Sequence, residues 1–423
     1  MHPNEASLDP TMRTSLANEA PAPALHAAIR GSNQAGVRAH NERVVLSLIR
    51  RHGALAKAEI ARQSGLSAQT VTVIMRALEA DGLVLPGAPQ RGRVGQPSVP
   101  MRLNARGAFS LGLKIGRRTS ETVLMDFSGA VLGHDAVVYD YPRRGAVMEF
   151  ARTSVSALTA GLPEAERGRI AGLGVGLPAE LWAWAVSHRA SEAEGDEWRR
   201  GGIADELAAA VGLPVFEAND ATAACGAEQA FGTTGLSDYV YVFVGAFVGG
   251  GIVIDGRLVP GRSGNAGALG SLPVPSRSGG VCQLIEEASI HVLERDARAA
   301  GLRGNDLWRA DARWEELGAI LDDWILRAGR GLAHAALAAS AVYDFEAAIV
   351  DGSFSPDIRR RLTGAAGSAF SSLDRRGLSD LRFEEGTIGR AAREIGAASL
   401  PFFARYFLDH RVLHAESGGA VRT

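Results

Sequence analysis

The sequence predicts an α/β protein in two parts, a small basic module of helices and a larger acidic domain with two similar lobes. Three observations lead to this prediction: an uneven distribution of charge, helical spacing of apolar residues within residues 38–106, and strand pairs followed by helices that occur twice after residue 107. The apolar fraction of 46% and the charged fraction of 22% are typical of folded globular chains. We therefore expect two or three domains in the 423 residues.

Composition and pattern argue against several classes of protein. The most apolar stretch, residues 239–254, is interrupted by four glycines and is shorter than a membrane span. The first residues, Met1 to Glu5, lack the basic and apolar segments of a signal peptide. Cys225 and Cys282 are too few for a disulfide framework or a zinc site built of cysteines. We therefore expect a cytoplasmic protein that carries no metal and no other cofactor.

The positive charge of the chain is concentrated in one segment. Residues 38–106 contain eleven basic and four acidic residues, a formal charge of +7, whereas residues 107–423 carry −8. The basic module is expected to bind a polyanion, and the acidic domain is not. Residues 1–37 are rich in Pro, Ala, Ser and Asn, and they are predicted to form a flexible tail.

Apolar spacing within residues 38–106 predicts three helices. The first helix ends near Gly53, and the second covers residues 57–64. Ser67 closes a three-residue turn and is placed to cap the third helix, which ends at residues 81–82. The apolar positions that define the buried faces of the first and third helices are Val44, Val45, Leu48, Ile49, Val71, Ile74, Met75 and Leu78.

Two helices joined by a tight turn, the second with small polar side chains outward, are typical of a helix-turn-helix that binds DNA. The residues of the third helix and its cap that we expect to enter the major groove are Ser67, Ala68, Gln69, Thr70, Thr72 and Arg76. Strands at residues 83–85 and 99–103 flank a basic loop and predict a β-hairpin wing. The wing residues expected to contact the minor groove or phosphates are Arg91, Arg93 and Gln96. The alternative is a small helical bundle with a solvated charged face.

After residue 107 the pattern becomes α/β. The predicted strands cover residues 108–115, 122–126, 129–138, 170–177, 215–216, 239–244, 251–254 and 347–350. The predicted helices cover residues 203–211, 222–231 and 314–339. Turns are predicted at residues 217–220 and 351–353, and a glycine loop is predicted before residue 251. Because strand pairs followed by helices occur twice, we expect two similar lobes with a cleft between them.

The chain resembles the ROK family, which is named for repressors, open reading frames and kinases, and in particular the family's sugar-responsive regulators. The resemblance covers about residues 38–400, and its motifs are Gly65-Leu66-Ser67, Gly82-Leu83-Val84, Gly92-Arg93-Val94-Gly95-Gln96-Pro97, Gly174-Val175-Gly176-Leu177-Pro178, Asn219-Asp220-Ala221, Gly249-Gly250-Gly251 and Gly264-Asn265-Ala266-Gly267. It implies an actin-like, ribonuclease-H-like body that binds a ligand between two lobes. It also implies dimers or tetramers that place two winged helices on a palindromic operator.

The chain departs from the family's kinases at both phosphate loops. The first loop of those kinases reads Asp-x-Gly-Gly-Thr, whereas the corresponding residues here are Lys114-Ile115-Gly116-Arg117-Arg118. The second usually reads Gly-Thr-Gly, and here Phe247 brings a bulky side chain to a place where backbone should approach phosphate. The family's zinc cluster of three cysteines and a histidine is reduced to Cys282. We therefore expect neither phosphoryl transfer nor zinc binding.

The resemblance also implies a ligand site, at Asn219, Asp220, Gly264, Asn265 and Pro178. Asp220 matches the catalytic base of family kinases, and without a phosphate site it can still hold a ligand hydroxyl. The alternative role of Asp220 is a turn or cap before the predicted helix at 222–231. Ala268 and Ser271 replace a Glu and a His that touch sugar hydroxyls in the family, so we expect a different or weaker ligand. Cys225 is interpreted as a packing residue.

The function expected from these observations is that of a transcriptional regulator, a repressor, which binds double-stranded DNA as a homodimer or homotetramer and responds to a sugar or sugar-derived effector. One alternative is a ROK-type sugar kinase with an added DNA-binding domain. Another alternative keeps the DNA-binding module and makes the body a dimerisation scaffold that binds no ligand. The two phosphate loops argue against the kinase, and only ligand binding distinguishes the other two.

Overall fold

The computed structural model describes residues 34–89, 99–179, 181, 192–309 and 311–408. Most of the predicted tail and the tip of the predicted wing therefore lie outside the described residues. The chain divides into two units between residues 41 and 42. The described elements lie in the second unit, apart from the first turns of the first helix.

The basic module contains three helices and a small sheet, with α1 at Gln34–His52, β1 at Ala54–Ala56, α2 at Lys57–Ser64, α3 at Ala68–Ala80, β2 at Val84–Pro86 and β3 at Pro100–Leu103. The central strand β3 pairs antiparallel with both β1 and β2. This arrangement confirms the predicted helix-turn-helix and the paired strands of the wing. The predicted end of the tail at residue 37 is wrong, because α1 already begins at Gln34 and its first turns contain the helix formers Gln and Ala. The strand β1 was not predicted, since three residues are too few to show a period.

The first lobe follows, with β4 at Phe109–Ile115, β5 at Thr119–Asp126, β6 at Val131–Val138, α4 at Arg144–Ala160, α5 at Glu164–Arg167, β7 at Ile170–Leu177, α6 at Glu192–Arg199, α7 at Ile203–Val211, β8 at Val215–Asn219 and α8 at Asp220–Phe231. The strand order in its sheet is β6-β5-β4-β7-β8. The strand β5 is antiparallel to both of its neighbours, β6 and β4, whereas β4, β7 and β8 run parallel to one another.

The second lobe repeats this plan, with β9 at Tyr239–Val244, β10 at Val248–Ile254, β11 at Arg257–Val259, β12 at Pro273–Pro275, β13 at Val281–Gln283, α9 at Ile285–Ala288, α10 at Ile290–Ala299, α11 at Ala319–Ser340, β14 at Ala347–Gly352, α12 at Pro356–Ser371, β15 at Arg382–Glu385 and α13 at Ala392–Arg405. Its sheet has the order β11-β10-β9-β14-β15, with the same pattern of antiparallel and parallel neighbours. The prediction of two similar lobes is therefore confirmed.

Several predicted turns are strands in the structure. The strand β8 continues through Asn219 and β14 continues through Gly352, so the turns predicted at 217–220 and 351–353 are wrong over most of their length. The glycines at 249–251 lie within β10 rather than in a loop. A Cβ on Gly251 would lie 2.5 Å from the Cβ of Cys225 in α8, so the strand packs too closely on this helix for any side chain. This contact also confirms that Cys225 is a buried packing residue.

The last helix, α13, belongs to the first lobe although it is the last described element of the chain. It packs on β4 and β7 of that lobe's sheet and against α8. Trp324 lies in the core of the second lobe, and Phe109 lies in the core of the first. Among the helices that the structure describes, none has both the length and the apolar character that crossing a membrane requires.

Candidate functional site

The start of α3 is organised by hydrogen bonds among its own polar residues. The Oγ of Ser67 accepts a hydrogen bond from the backbone N–H of Thr70 at 3.1 Å, which confirms the predicted N-cap. The hydroxyl oxygens of Ser67 and Thr70 are 2.8 Å apart, and the hydroxyl of Thr72 donates to the carbonyl of Ala68 at 2.8 Å. The three hydroxyls of this face are therefore held in place by the helix itself.

The outward face of α3 is formed by Gln69, Val73 and Arg76, which are exposed and lie on one side of the helix at spacings of four and three residues. The side chains of Gln69 and Arg76 have no hydrogen bond or ion pair to any residue that the structure describes. The exposed side chain of Val73, at 55% of its full accessibility, was not among the predicted contacts although the same spacing turns it outward. Gln can bind adenine, Arg can bind guanine or phosphate, and an apolar group can contact the thymine methyl.

The predicted wing residues Arg91, Arg93 and Gln96 lie outside the described residues. The strands that flank them are in place, because β2 and β3 pair antiparallel from Val84 with Leu103 to Pro86 with Met101. The position of the wing residues therefore stays a prediction.

The formal charge of the basic module overstates the number of cationic side chains that are available to bind a polyanion. Arg62 is paired with Glu59, and Arg106 is paired with Glu166. Arg43 and Arg50 donate hydrogen bonds to backbone carbonyls of the body. Arg43, Arg50, Arg62 and Arg106 are therefore engaged within the protein, whereas Arg51, Arg76 and Arg102 remain exposed.

The candidate ligand site lies where strands of the first lobe end. Lys114, near the end of β4, is in register with Gly176 of β7, and a Cβ on Gly176 would lie 3.5 Å from the Cα of Asp220. Pro178 is buried directly after β7, and Asn219 is the last residue of β8. The structure therefore brings Pro178, Asn219 and Asp220 to the carboxyl ends of parallel strands, where open α/β sheets bind ligands.

The two polar residues at the start of α8 have different roles. The Oδ1 of Asn219 accepts hydrogen bonds from the N–H groups of Ala221 and Thr222, both at 3.1 Å, so Asn219 is the N-cap of α8. The alternative that Asp220 is the cap is therefore wrong. Asp220 is 8% exposed, and its Oδ2 accepts a hydrogen bond from Nη1 of Arg393 at 3.2 Å.

Arg393 fills the space between the lobes next to Asp220. Its Nη2 donates to the hydroxyl of Ser353 in the second lobe at 2.9 Å, and its guanidinium lies 4.7 Å from the ring centre of Phe243. The Nε of Arg393 is buried and has no hydrogen-bond partner among the described residues. The sequence analysis did not single out this arginine, although a charged Arg-Glu pair in an otherwise apolar helix, at Arg393 and Glu394, was the available signal.

Three further ionisable groups, Lys114, Glu121 and Glu394, are buried close to this pair. Lys114 donates hydrogen bonds to both the carbonyl and the hydroxyl oxygen of Thr119, and its Nζ lies 3.8 Å from a carboxylate oxygen of Glu121. Burial, with the charge of Arg393, lowers the pKa of Lys114 to about 8. Burial, with the charge of Glu121, raises the pKa of Glu394 to about 8. Glu394 is therefore mostly protonated at neutral pH.

The other two predicted ligand residues are placed differently. Gly264, with φ of +76°, and Asn265 lie in an exposed turn after β11. Neither has a hydrogen bond to Asn219 or Asp220 within the described part of the chain. The turn is anchored at Gly267, where a Cβ would lie 2.6 Å from the Cα of Gly251, and Gly251 in turn packs on α8.

The two turns that correspond to phosphate loops contact each other. Arg117, in the turn between β4 and β5, lies 4.3 Å from the ring centre of Phe247 in the turn between β9 and β10, and it donates to the carbonyl of Ala179 at 3.0 Å. Arg118 is 2% exposed and forms a 2.8 Å ion pair with Glu294 of the second lobe. Side chains of this protein therefore connect the lobes where family kinases hold phosphate.

Cys282 lies in the hairpin formed by β12 and β13. Its Sγ is 3.7 Å from a carboxylate oxygen of Glu287, and burial raises the pKa of the thiol. Within the described ranges, no three His, Cys, Asp or Glu residues are grouped as metal ligands would be.

Comparisons with known proteins identify both parts of the chain. Residues 38–84 match the winged helix-turn-helix DNA-binding family, and residues 110–304 match the ROK family. A transcriptional regulator of Mycobacterium bovis is 32% identical over 60% of this chain and 58% of its own length. The N-acetylglucosamine repressor of Escherichia coli O6:H1 is 25% identical over 55% of this chain and 57% of its own length. The chain thus aligns with little more than half the length of these regulators.

A solved structure supports the fold of nearly the whole chain. The crystal structure of a ROK family transcriptional regulator, a homologue of the Escherichia coli MLC protein, has a TM-score of 0.62 and 21% identity to this chain. The superposition covers 86% of this chain and 96% of that one. The chain therefore carries a winged helix-turn-helix at residues 38–84, followed by a ROK family domain at residues 110–304.

Proposed function

We propose that the protein is a sequence-specific transcriptional regulator, a repressor, that binds a palindromic operator as a homodimer or homotetramer. The observation that carries this proposal is the outward face of α3, where Gln69, Val73 and Arg76 are exposed around a capped helix start. A capped second helix with exposed polar side chains is the element that helix-turn-helix proteins place in the major groove. Action on chromosomal DNA places the protein in the cytoplasm.

The body is proposed to bind a sugar or sugar-derived effector at Asp220. One carboxylate oxygen of Asp220 is engaged by Arg393, and the other has no hydrogen bond within the described residues. A carboxylate beside a guanidinium offers an acceptor and donors to one hydroxyl group. The likeness to a repressor named for N-acetylglucosamine supports both repression and an effector of this class.

Effector binding would alter DNA affinity only if the effector prefers one conformation of the body. In a dimer, closure of the lobes would change the spacing of the two α3 helices, which must match half-sites about 34 Å apart or a multiple of this distance. We expect a coupling of about 1–3 kcal/mol between the two sites.

The kinase alternative has less support from the geometry. Asp220 is paired with a buried arginine, and Arg117, Arg118 and Phe247 occupy the turns that would have to cradle phosphates. Because positioning and neutralising the transferred phosphate is nearly all of this catalysis, we expect no sugar-dependent ATP consumption. ATP consumption that vanishes in Asp220→Asn would overturn this expectation, and stoichiometric zinc in elemental analysis would overturn the expected absence of zinc.

DNA selection tests the main proposal. Genomic fragments retained by the full-length protein are sequenced, and the same selection is repeated with Gln69→Ala and with Arg152→Gln. Arg152 is exposed on α4 of the body and pairs with Glu149, so it serves as the matched control. We expect a shared palindrome with the natural chain and the control, and a relaxed motif with Gln69→Ala. Fragments without a shared motif would contradict the proposal.

A thermal-shift screen of sugars and polyols tests the effector. Ligands that stabilise the natural chain are expected to lose their effect in Asp220→Ala, because they lose an acceptor at the cleft. Stabilisation that persists unchanged in this variant would place the ligand elsewhere. A broad screen without any stabilising compound would favour the body as a ligand-free scaffold.

A further inference from the structure

Arg43 of α1 binds the carboxyl-terminal end of α13. Its Nε donates to the carbonyl of Arg405 at 3.3 Å, and its Nη2 donates to the carbonyls of Phe403, at 3.2 Å, and Ala404. These carbonyls belong to the last turn of a helix, where no further N–H group of the helix is available to them. The same end carries the negative pole of the helix dipole. Arg43 therefore satisfies the end of α13 and is not available to a DNA phosphate.

Arg50, two turns further along α1, binds the end of α8. Its Nη1 donates to the carbonyl of Ala230 at 2.7 Å. Its guanidinium lies over three aromatic rings, at 5.8, 5.3 and 5.2 Å from the ring centres of Phe231, Phe403 and Phe407. Burial of its guanidinium lowers the pKa of Arg50 to about 10, and the group keeps its charge at neutral pH.

The module and the body also share one apolar core. Buried residues of α1 and α3 lie in the same cluster as Phe127, Phe402 and Phe407 of the body. The rings of Phe127 and Phe407 are stacked at 5.2 Å, and the N–H of Leu408 donates to the hydroxyl of Ser47 in α1 at 2.9 Å. The contact is therefore a packed interface that resists sliding.

The opposite ends of the same two helices meet at the cleft. Asp220 is the first residue of α8, Arg393 is the second residue of α13, and the two are joined by the 3.2 Å ion pair. At 1.5 Å per residue the helices are about 18 and 21 Å long, so each spans the distance from the cleft to α1. Gly396 brings their backbones together, because a Cβ at this position would overlap the carbonyl of Ala223.

We propose that Arg43 and Arg50 are positioning residues that fix the DNA-binding module to the far ends of α13 and α8, so that a change at the Asp220–Arg393 pair shifts the module. This inference rests on the proposed function, since it describes how the body would regulate DNA binding. A packed pair of helices moves as a unit, and a displacement at its start reaches the carbonyls that Arg43 and Arg50 hold.

Hydrogen exchange in a double-variant cycle on the full-length protein tests this inference. The pair at the cleft is removed as a unit with Arg393→Met and Asp220→Asn, which leaves no lone buried charge. Backbone exchange is followed in residues 44–51 of α1, with and without Arg43→Gln. We expect the cleft variant to change exchange there by about 2- to 30-fold, the range of coupling between such sites. The change should be smaller when Arg43→Gln is also present, because Arg50 and the shared core remain.

Three controls make the outcome specific. Arg51→Gln removes an exposed arginine from the same helix and should leave the change intact. Residues 319–340 of α11 report on global destabilisation, so the change in residues 44–51 is measured relative to the change in α11. If Arg43→Gln does not fold, Arg43→Lys is used, which keeps the charge but not the planar set of donors and should reduce the change.

The inference is overturned if the cleft variant leaves residues 44–51 unchanged, or if the change persists in full with Arg43→Gln or Arg43→Lys. No DNA is present in this measurement, so its failure leaves the proposed DNA binding standing. Conversely, a failed DNA selection would not affect the exchange result.

Discussion

The polar groups on the outward face of α3 are exposed, whereas those in the cleft between the lobes are buried and bound to one another. Gln69 and Arg76 are exposed and have no partner among the described residues. In the cleft, Arg393 and Asp220 are buried and bound to each other, and Lys114 is bound to Thr119. On the outward face of α3, the side chains of Gln69 and Arg76 can hydrogen-bond water or a partner molecule. In the cleft, most of the hydrogen bonds of the polar groups are already made within the protein. An effector there has to displace or extend these contacts.

The largest expected effect comes from breaking the cleft pair. Arg393→Met should lower the free energy of unfolding by about 3–5 kcal/mol, because Asp220 is left buried without its counter-charge. Adding Asp220→Asn should restore part of this loss. Denaturant unfolding measures both, and Arg152→Met, in an exposed pair, should cost no more than about 1 kcal/mol. Equal losses of unfolding free energy in Arg393→Met and Arg152→Met would show that the buried pair contributes no more to stability than the exposed pair.

The next effect is a pH dependence that originates in the cleft. Folding raises the pKa of Glu394 from 4.5 to about 8. Between these two pH values the folded protein keeps a proton on Glu394 that the unfolded chain has released. The stability that this group contributes is therefore present at low pH and is lost as the pH rises toward 8, by at most about 1.4 kcal/mol per pH unit. Lys114, with its pKa lowered to about 8, acts in the opposite sense only above that pH.

Melting temperatures between pH 5 and pH 8 measure this dependence. The decline of the melting temperature with rising pH should be smaller in Glu394→Gln than in the natural chain. Identical profiles would show that Glu394 is already ionised in the folded state, contrary to its burial.

A smaller effect is expected at the outward face of α3, where DNA would supply the interaction. Gln69→Ala should reduce discrimination between the selected operator and single-base variants by about 1–3 kcal/mol at the base that Gln69 contacts. The melting temperature should not change, since Gln69 has no partner within the described part of the chain. Binding titrations on operator variants measure the loss, and unchanged discrimination at every base would exclude Gln69 as a base contact.

The smallest effect is expected from cations that contact phosphate. Arg93→Ala should weaken binding to every DNA sequence alike and should lower the slope of log affinity against log salt by about one unit. Arg62→Ala is the matched control, because Arg62 is paired with Glu59 on the same module. An effect of Arg93→Ala on one sequence only would indicate a base contact instead.

The sequence predicted the outward face of α3 better than the cleft, because local patterns determine the former and contacts between distant residues determine the latter. Helix caps and apolar spacing are local, so Ser67 and the buried face of α3 could be read from neighbouring residues. The duplicated strand order was also accessible, because each lobe repeats the same local pattern. Arg393 is 173 residues from Asp220 in the chain, and no local pattern indicates that the two meet.

Two arginines of the basic module likewise have partners that are distant in the sequence. Arg43 and Arg50 look like other basic residues of a DNA-binding segment, but their partners are helix ends near residues 230 and 403–405. The strands at Asn219 and Gly352 were interpreted as turns because Asn, Asp and Gly are common in turns, whereas here pairing within each sheet decides their conformation.

A competition titration decides whether this protein binds DNA sequence-specifically through α3. Labelled operator from the selection is titrated with full-length protein at fixed salt, against unlabelled operator and against a shuffled duplex of equal length. We expect the operator to bind at least about 1,000-fold more tightly than the shuffled duplex, as specific DNA-binding proteins do. Equal affinity for the two duplexes would contradict this expectation.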